Sequence, residues 1–152
     1  MLPYDYIYII RPTASPIVSI PDGFLLRVMQ GEEYGQTYDL TRMLQNMNFI
    51  TIGRADKFTP NDIAIREDQS TYISRQHCTV EKETDGSFKI RDGQRDIHSY
   101  SGWHRSTNGT YVNSTEVSER GYYLREGDII SIGDVKMRFE AYSNRHGMRW
   151  YT

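Results

Sequence analysis

The clearest alternation of apolar and polar positions lies near the C-terminal end. Val135, Met137, Phe139 and Ala141 alternate with Lys136, Arg138 and Glu140, the period-two signature of a strand with one buried face. The same period runs through Cys78 and Val80, set against Thr79, Glu81 and Glu83, and then through Phe88 and Ile90, set against Lys89 and Arg91. Asp85-Gly86 between these runs is a hairpin turn signal. Earlier, Phe24 to Met29 reads as a strand, Gln30 to Gly35 as a polar turn, and Thr37 to Leu40 as the returning strand. Phe49 to Ile52 is a strand that stops at Gly53-Arg54, where a glycine permits a turn or a close backbone approach. Further short strand patterns cover Asn61 to Ile65, Thr110 to Asn113, Thr115 to Val117, Tyr122 to Leu124 and Ile129 to Ile132, the last closed by Gly133-Asp134. Helix has room only in Thr41 to Asn48, as one turn or a loop. About ten or eleven short strands with regular turn signals predict an all-β fold, a two-sheet antiparallel sandwich.

Three segments depart from this rhythm. Residues 1–22 carry Pro3, Pro12, Pro16 and Pro21, which disfavour helix. They read as an arm or linker, although Tyr6 to Ile10 could also lie as a strand on the domain edge. The domain is expected over 23–143, followed by a basic, aromatic tail over 144–152 that contains Trp150 and Tyr151. Inside the domain, Gly93 to Arg105 is polar and dotted with aromatics, and reads as a long loop.

Composition narrows the function. The chain has 152 residues, 38% hydrophobic and 25% charged, enough for one soluble domain and some extra chain. Twelve tyrosines suit strands better than helices. A net charge of −2 argues against general nucleic-acid binding, which needs a basic surface, but leaves room for a local basic pocket. No apolar run approaches the ~20 residues of a membrane helix. Cys78 is the single cysteine, so an internal disulfide and a cysteine-rich metal site are excluded, and a reducing, cytoplasmic setting is the expectation.

The chemistry sits in three islands: Gly53-Arg54, Ser74-Arg75-Gln76-His77, and Thr107-Asn108-Gly109-Thr110-Tyr111-Val112-Asn113. Arg54 offers a fork of charged donors, Ser74 a hydroxyl and Asn108 an amide. That set suits a phosphate carried on a peptide. The islands, in this order on an all-β background, resemble the forkhead-associated (FHA) domain family, whose pattern is Gly-Arg, Ser-Arg-x-His and Asn-Gly-x-x-Val-Asn. The resemblance spans roughly Phe24 to Tyr142. The run from Asp92 to Ser106 departs from it, since the family passes to the Asn-Gly motif more directly.

The resemblance implies an FHA/SMAD-like sandwich that recognises phosphothreonine in a partner protein, written there by an upstream Ser/Thr kinase, within a signalling or regulatory assembly. Arg54, Ser74, Arg75, Thr107 and Asn108 would grip the phosphopeptide. Gly53, His77, Gly109 and Asn113 would support the site, with His77 bracing loops rather than touching phosphate. Tyr72 and Gly133 stand where the family often reads residues after the phosphate. Trp103, His104 and Arg105, with Tyr100, could contact flanking residues because their loop leads into Thr107. No cofactor, metal, nucleic acid or membrane partner is expected, and the chain is expected to be a monomer. An alternative is an FHA-type scaffold that binds an unphosphorylated partner or itself through a sheet face. Catalysis is not expected: the sequence has no nucleophile with a positioned base and no nucleotide-type phosphate loop.

Overall fold

The alternating runs condense into strands with boundaries close to those expected. In a computed structural model that describes residues 20–67 and 70–143, the elements are β1 (Gly23–Gln30), β2 (Thr37–Asp39), α1 (Leu40–Met43), β3 (Phe49–Arg54), β4 (Ile63–Ile65), β5 (Cys78–Lys82), β6 (Phe88–Asp92), β7 (Gln94–Arg95), β8 (Trp103–His104), β9 (Thr110–Val112), β10 (Thr115–Val117), β11 (Tyr122–Tyr123), β12 (Ile129–Ile132) and β13 (Val135–Tyr142). Gly23–Tyr142 forms one compact unit, and nearly all of a second unit, from 1–22 and 143–152, lies outside the described residues. The Tyr6 to Ile10 segment and the tail aromatics fall there. The ambiguous Thr41 region is the single turn α1, started by Asp39, whose carboxylate accepts the Arg42 N–H at 3.1 Å.

Among the described residues eleven strands build two sheets, ordered β10-β9-β12-β13-β1-β2 and β11-β6-β5-β3-β4. One pairing corrects the antiparallel expectation: β3 and β4 run parallel, with Ile52 opposite Ile63 and Arg54 opposite Ile65. Asp62 holds this arrangement, since its carboxylate accepts the Thr51 N–H at 2.8 Å and the Thr51 hydroxyl at 3.2 Å. The chain therefore loops back after Arg54 and re-enters alongside the strand it left.

The second correction concerns Gly93 to Arg105. This stretch is not an irregular loop but a small hairpin, β7 with β8, pairing Gln94 with His104 and Arg95 with Trp103. Its root is bound to the sheet. Trp103 Nε1–H donates to the Asp92 carbonyl at 2.9 Å, and the Arg91 guanidinium lies 3.9 Å from the Trp103 ring centre. Thr79, expected to face solvent, is buried for the same reason: its hydroxyl donates to the Gly93 carbonyl at 2.7 Å. The hairpin tip is open, with Ile97 and Tyr100 exposed.

Between the sheets the core takes Leu26, Val28, Ile130, Met137 and Phe139 from one side and Ile50, Ile52, Val80 and Ile90 from the other. Phe24 stacks on Phe139 at 4.9 Å between ring centres, and Phe88 meets both edge-on. Each such side chain contributes about 1.5–3 kcal/mol on burial. Antiparallel pairing of β3 and β5, with Ile52 opposite Cys78, puts the end of one strand beside the start of the other. Arg54 and the Ser74 island therefore emerge at the same end of the sandwich.

Candidate functional site

The loops at that end are stitched together before any ligand arrives. Arg54 N–H donates to the Ser74 carbonyl at 2.9 Å, and its guanidinium donates to the Ile73 carbonyl at 3.2 Å. Ser74 Oγ accepts the Thr107 N–H at 2.9 Å, which leaves its own hydroxyl proton to donate outward. The Asn108 amide donates to the Tyr72 carbonyl at 2.9 Å. All three islands thus share one hydrogen-bonded rim.

His77 sits beneath that rim, with no exposed surface. Its Nδ1 accepts the Ser74 N–H at 2.9 Å, so the ring proton is on Nε2, which donates to the Gly109 carbonyl at 2.8 Å. Burial lowers its pKa below the usual histidine range, against opposing pulls from the Gly109 carbonyl, Asp92 and Glu67. The neutral ring braces two loops and does not reach the cleft.

Gly53 is required by close approach: a Cβ there would fall on the Arg75 carbonyl oxygen and 2.7 Å from Asn61 Nδ2. Asn61 in turn donates to that carbonyl at 2.7 Å and accepts from Gln94 of β7 at 2.8 Å. Gln94 also donates to the Ile52 carbonyl at 2.9 Å, which ties the inserted hairpin to the end of β3 that carries Gly53 and Arg54.

A buried carboxylate organises the third island. Asp92, fully buried, accepts from Ser106 Oγ at 2.6 Å, Thr110 Oγ1 at 2.7 Å and Arg105 Nε at 3.1 Å. Ser106 Oγ then accepts the Gly109 N–H at 2.8 Å. Gly109 takes φ +91°, a conformation a side chain resists. These bonds shape the turn that presents Thr107 and Asn108. Asn113 lies farther along, at φ 52° in the β9–β10 turn, where its side chain accepts the Ile129 N–H and donates to Asp128.

The result is an open cleft of about 350 Å³, whose walls include Arg54, Tyr72, Ser74, Arg75, His104, Thr107 and Asn108. All five residues expected to grip a phosphopeptide line it. Of the expected flanking contacts, Tyr72 and His104 line it and Trp103 and Arg105 do not, because both are turned to the hairpin root. Tyr100 is at the exposed tip, and Gly133 packs behind Tyr72, where a Cβ would come 3.1 Å from the Tyr72 Cβ. Tyr72 also borders a second cavity of about 380 Å³ lined in part by Glu32, Glu67 and Asp134.

Some working residues carried no signal in the sequence. Thr59, Thr71 and Gln76 also line the cleft, and Asp56 holds Arg75 through a 2.9 Å ion pair. Asp56, Asn61, Gln94 and Asp92 stand in loops or at strand ends where polar residues are ordinary, so only the folded contacts reveal them. Among the described residues no three His, Cys, Asp or Glu side chains gather as a metal site.

The FHA domain family model matches residues 50–133. Among solved structures, an FHA domain of an Arabidopsis thaliana hypothetical protein is similar with 26% identity and a TM-score of 0.59, over 81% of this chain and 87% of that one. The FHA domain of CT664 from Chlamydia trachomatis is similar with 20% identity and a TM-score of 0.58, over 80% of this chain and 100% of that one. EmbR of Mycobacterium tuberculosis, solved with a low-affinity phosphopeptide, is similar with 24% identity and a TM-score of 0.55, over 80% of this chain and 25% of that one. No curated protein matches the chain.

Proposed function

Because the chain belongs to the FHA domain family, a family of interaction modules, we propose that it recognises a phosphothreonine-bearing segment of a partner protein. One observation carries this reading: Arg54, Ser74, Arg75, Thr107 and Asn108, far apart in sequence, line a single small cleft. A phosphothreonine brings about −1.5 to −2 charges and three acceptor oxygens. Arg54, steadied by the Ile73 carbonyl, supplies paired charged donors, and Ser74 supplies its free hydroxyl proton. Asn108 stands ready to bond the peptide main chain once it leaves Tyr72. The threonine methyl packs against the loop rim, which favours phosphothreonine over phosphoserine. The module acts by tethering: a Ser/Thr kinase writes the mark, and the domain brings what is attached to it. His104 and Tyr72 stand on the cleft wall and read the residues beside the phosphate.

The test is binding to degenerate phosphothreonine, phosphoserine and unphosphorylated peptide libraries, with Arg54→Ala alongside. Selective phosphothreonine binding is expected. Loss of charge-assisted bonds worth about 1.5–3 kcal/mol should weaken Arg54→Ala at least tenfold while its fold is kept. A folded wild type that binds no phosphopeptide refutes the reading and turns attention to the sheet faces. In the same libraries, a chain with Asp96–Gly102 cut to Asn-Gly should keep phosphothreonine binding but alter flanking preference. An unaltered preference removes the hairpin from recognition.

A further inference from the structure

An acid is paired with one of the arginines that line the cleft. Asp56 lies two residues beyond Arg54, and its side chain is only 12% exposed. One oxygen accepts the Phe58 N–H at 2.6 Å, and the other pairs with Arg75 Nε at 2.9 Å. The carboxyl is held below its ordinary pKa, first by that Phe58 N–H, then by the charges of Arg75 and Arg54. It is therefore ionised, fixed by its own loop, and within electrostatic reach of both arginines. Arg75 is otherwise an exposed side chain on the cleft wall.

We propose that Asp56 is an affinity-setting residue that acts through Arg75, holding the guanidinium in the empty site and reclaiming it as a phosphate leaves. The inference rests on the phosphopeptide reading and adds a regulatory element to it. An arriving phosphate must draw Arg75 away from a partner of the same charge sign. Once bound, it still competes with that carboxylate for the Arg75 guanidinium. Both effects weaken binding and favour release. A module of this design exchanges partners readily and responds to the loss of a phosphate. Its set point resides in one side chain that need not touch the peptide.

Asp56→Asn tests this, because the amide keeps an oxygen for the Phe58 N–H while losing the charge. Affinity of the full chain for its best library phosphothreonine peptide is measured in a cycle of wild type, Asp56→Asn, Arg75→Ala and the double variant. Asp56→Asn is expected to tighten binding roughly two- to fivefold, the scale of a partly exposed ion pair, mainly through slower dissociation. The gain should largely vanish when Arg75 is alanine, and Arg75→Ala should cost more in the Asp56→Asn background than in wild type. A merely structural Asp56 would not produce that coupling. Unchanged or weaker binding by a folded Asp56→Asn overturns the proposal, as does an equal gain in both backgrounds, which would be simple charge removal. A wild type that binds no phosphopeptide removes the functional reading itself, and this inference with it. Binding by wild type without coupling removes only the inference.

Discussion

Replacing His77 by alanine would take out the brace between the Ser74 and Gly109 loops. Two groups lose their partner: the Ser74 N–H, bonded to Nδ1 at 2.9 Å, and the Gly109 carbonyl, bonded to Nε2 at 2.8 Å. A buried polar group left unpaired costs about 1–3 kcal/mol, so the pair sums to about 2–6 kcal/mol. Domains of this class are stable by about 5–15 kcal/mol in total, so the variant should lose a large share of its margin. The wild type also predicts a pH signature. His77 is depressed in the folded state by burial, whereas the unfolded chain takes up a proton near pH 6.5. Below that pH the unfolded state binds more protons, so stability is complete above about 6.5 and declines as pH falls toward the folded pKa, by at most about 1.4 kcal/mol per pH unit. Protonation also turns Nδ1 into a donor facing the Ser74 N–H, which breaks the bond. Urea unfolding followed by tryptophan fluorescence, from pH 7.5 to 5.5, measures both effects. The variant should be weaker at pH 7.5 and nearly flat across the range, while wild type slopes downward on acidification. A difference below about 1 kcal/mol at pH 7.5, or parallel slopes, would refute the brace.

Two further substitutions test the frame around the cleft. Asp92→Asn removes the charge that gathers Ser106, Thr110 and Arg105; a lost buried charged hydrogen-bond partner should cost about 3–5 kcal/mol in urea unfolding, with phosphopeptide affinity falling as the Thr107-Asn108 turn loosens. A cost below 1 kcal/mol would show that the network is dispensable. Gly53→Ala forces a methyl group onto the Arg75 carbonyl, and is expected to destabilise by about 1–3 kcal/mol, as overpacking does, and to displace Arg75 enough to change peptide affinity; unchanged thermal midpoint and affinity would argue that the loops yield freely.

The fold was largely legible because burial alternates along its strands. Phe139, Met137 and Val135 must face inward together, and no helix would gather them. The parallel β3–β4 pair was not legible, because strand periodicity carries no direction; direction here rests on Asp62 reaching Thr51. The hairpin after Asp92 was missed for a related reason. β7 and β8 have only two residues each, too short for a period, and the hairpin is secured by Trp103 and Gln94 side chains instead. That Arg54, Ser74, Arg75, Thr107 and Asn108 would gather was legible because their three islands fall in a set order where strand patterns stop or start, and they do line one cleft. Asp56 was not, since an acidic residue in a loop means little until an arginine from another loop is found against it.

The clasp at Asp92 has a consequence for how this domain tolerates change. The chain leaves the sheet at that residue, travels through thirteen others and comes back so that Ser106 donates to the same carboxylate at 2.6 Å. Entry and exit are therefore pinned to one point, and the closure entropy of whatever lies between grows only with the logarithm of its length. The position works as a port. Segments of very different size could be seated there by evolution or by an engineer, a reporter peptide or a second recognition element among them, while the Thr107-Asn108 turn just downstream stays in register.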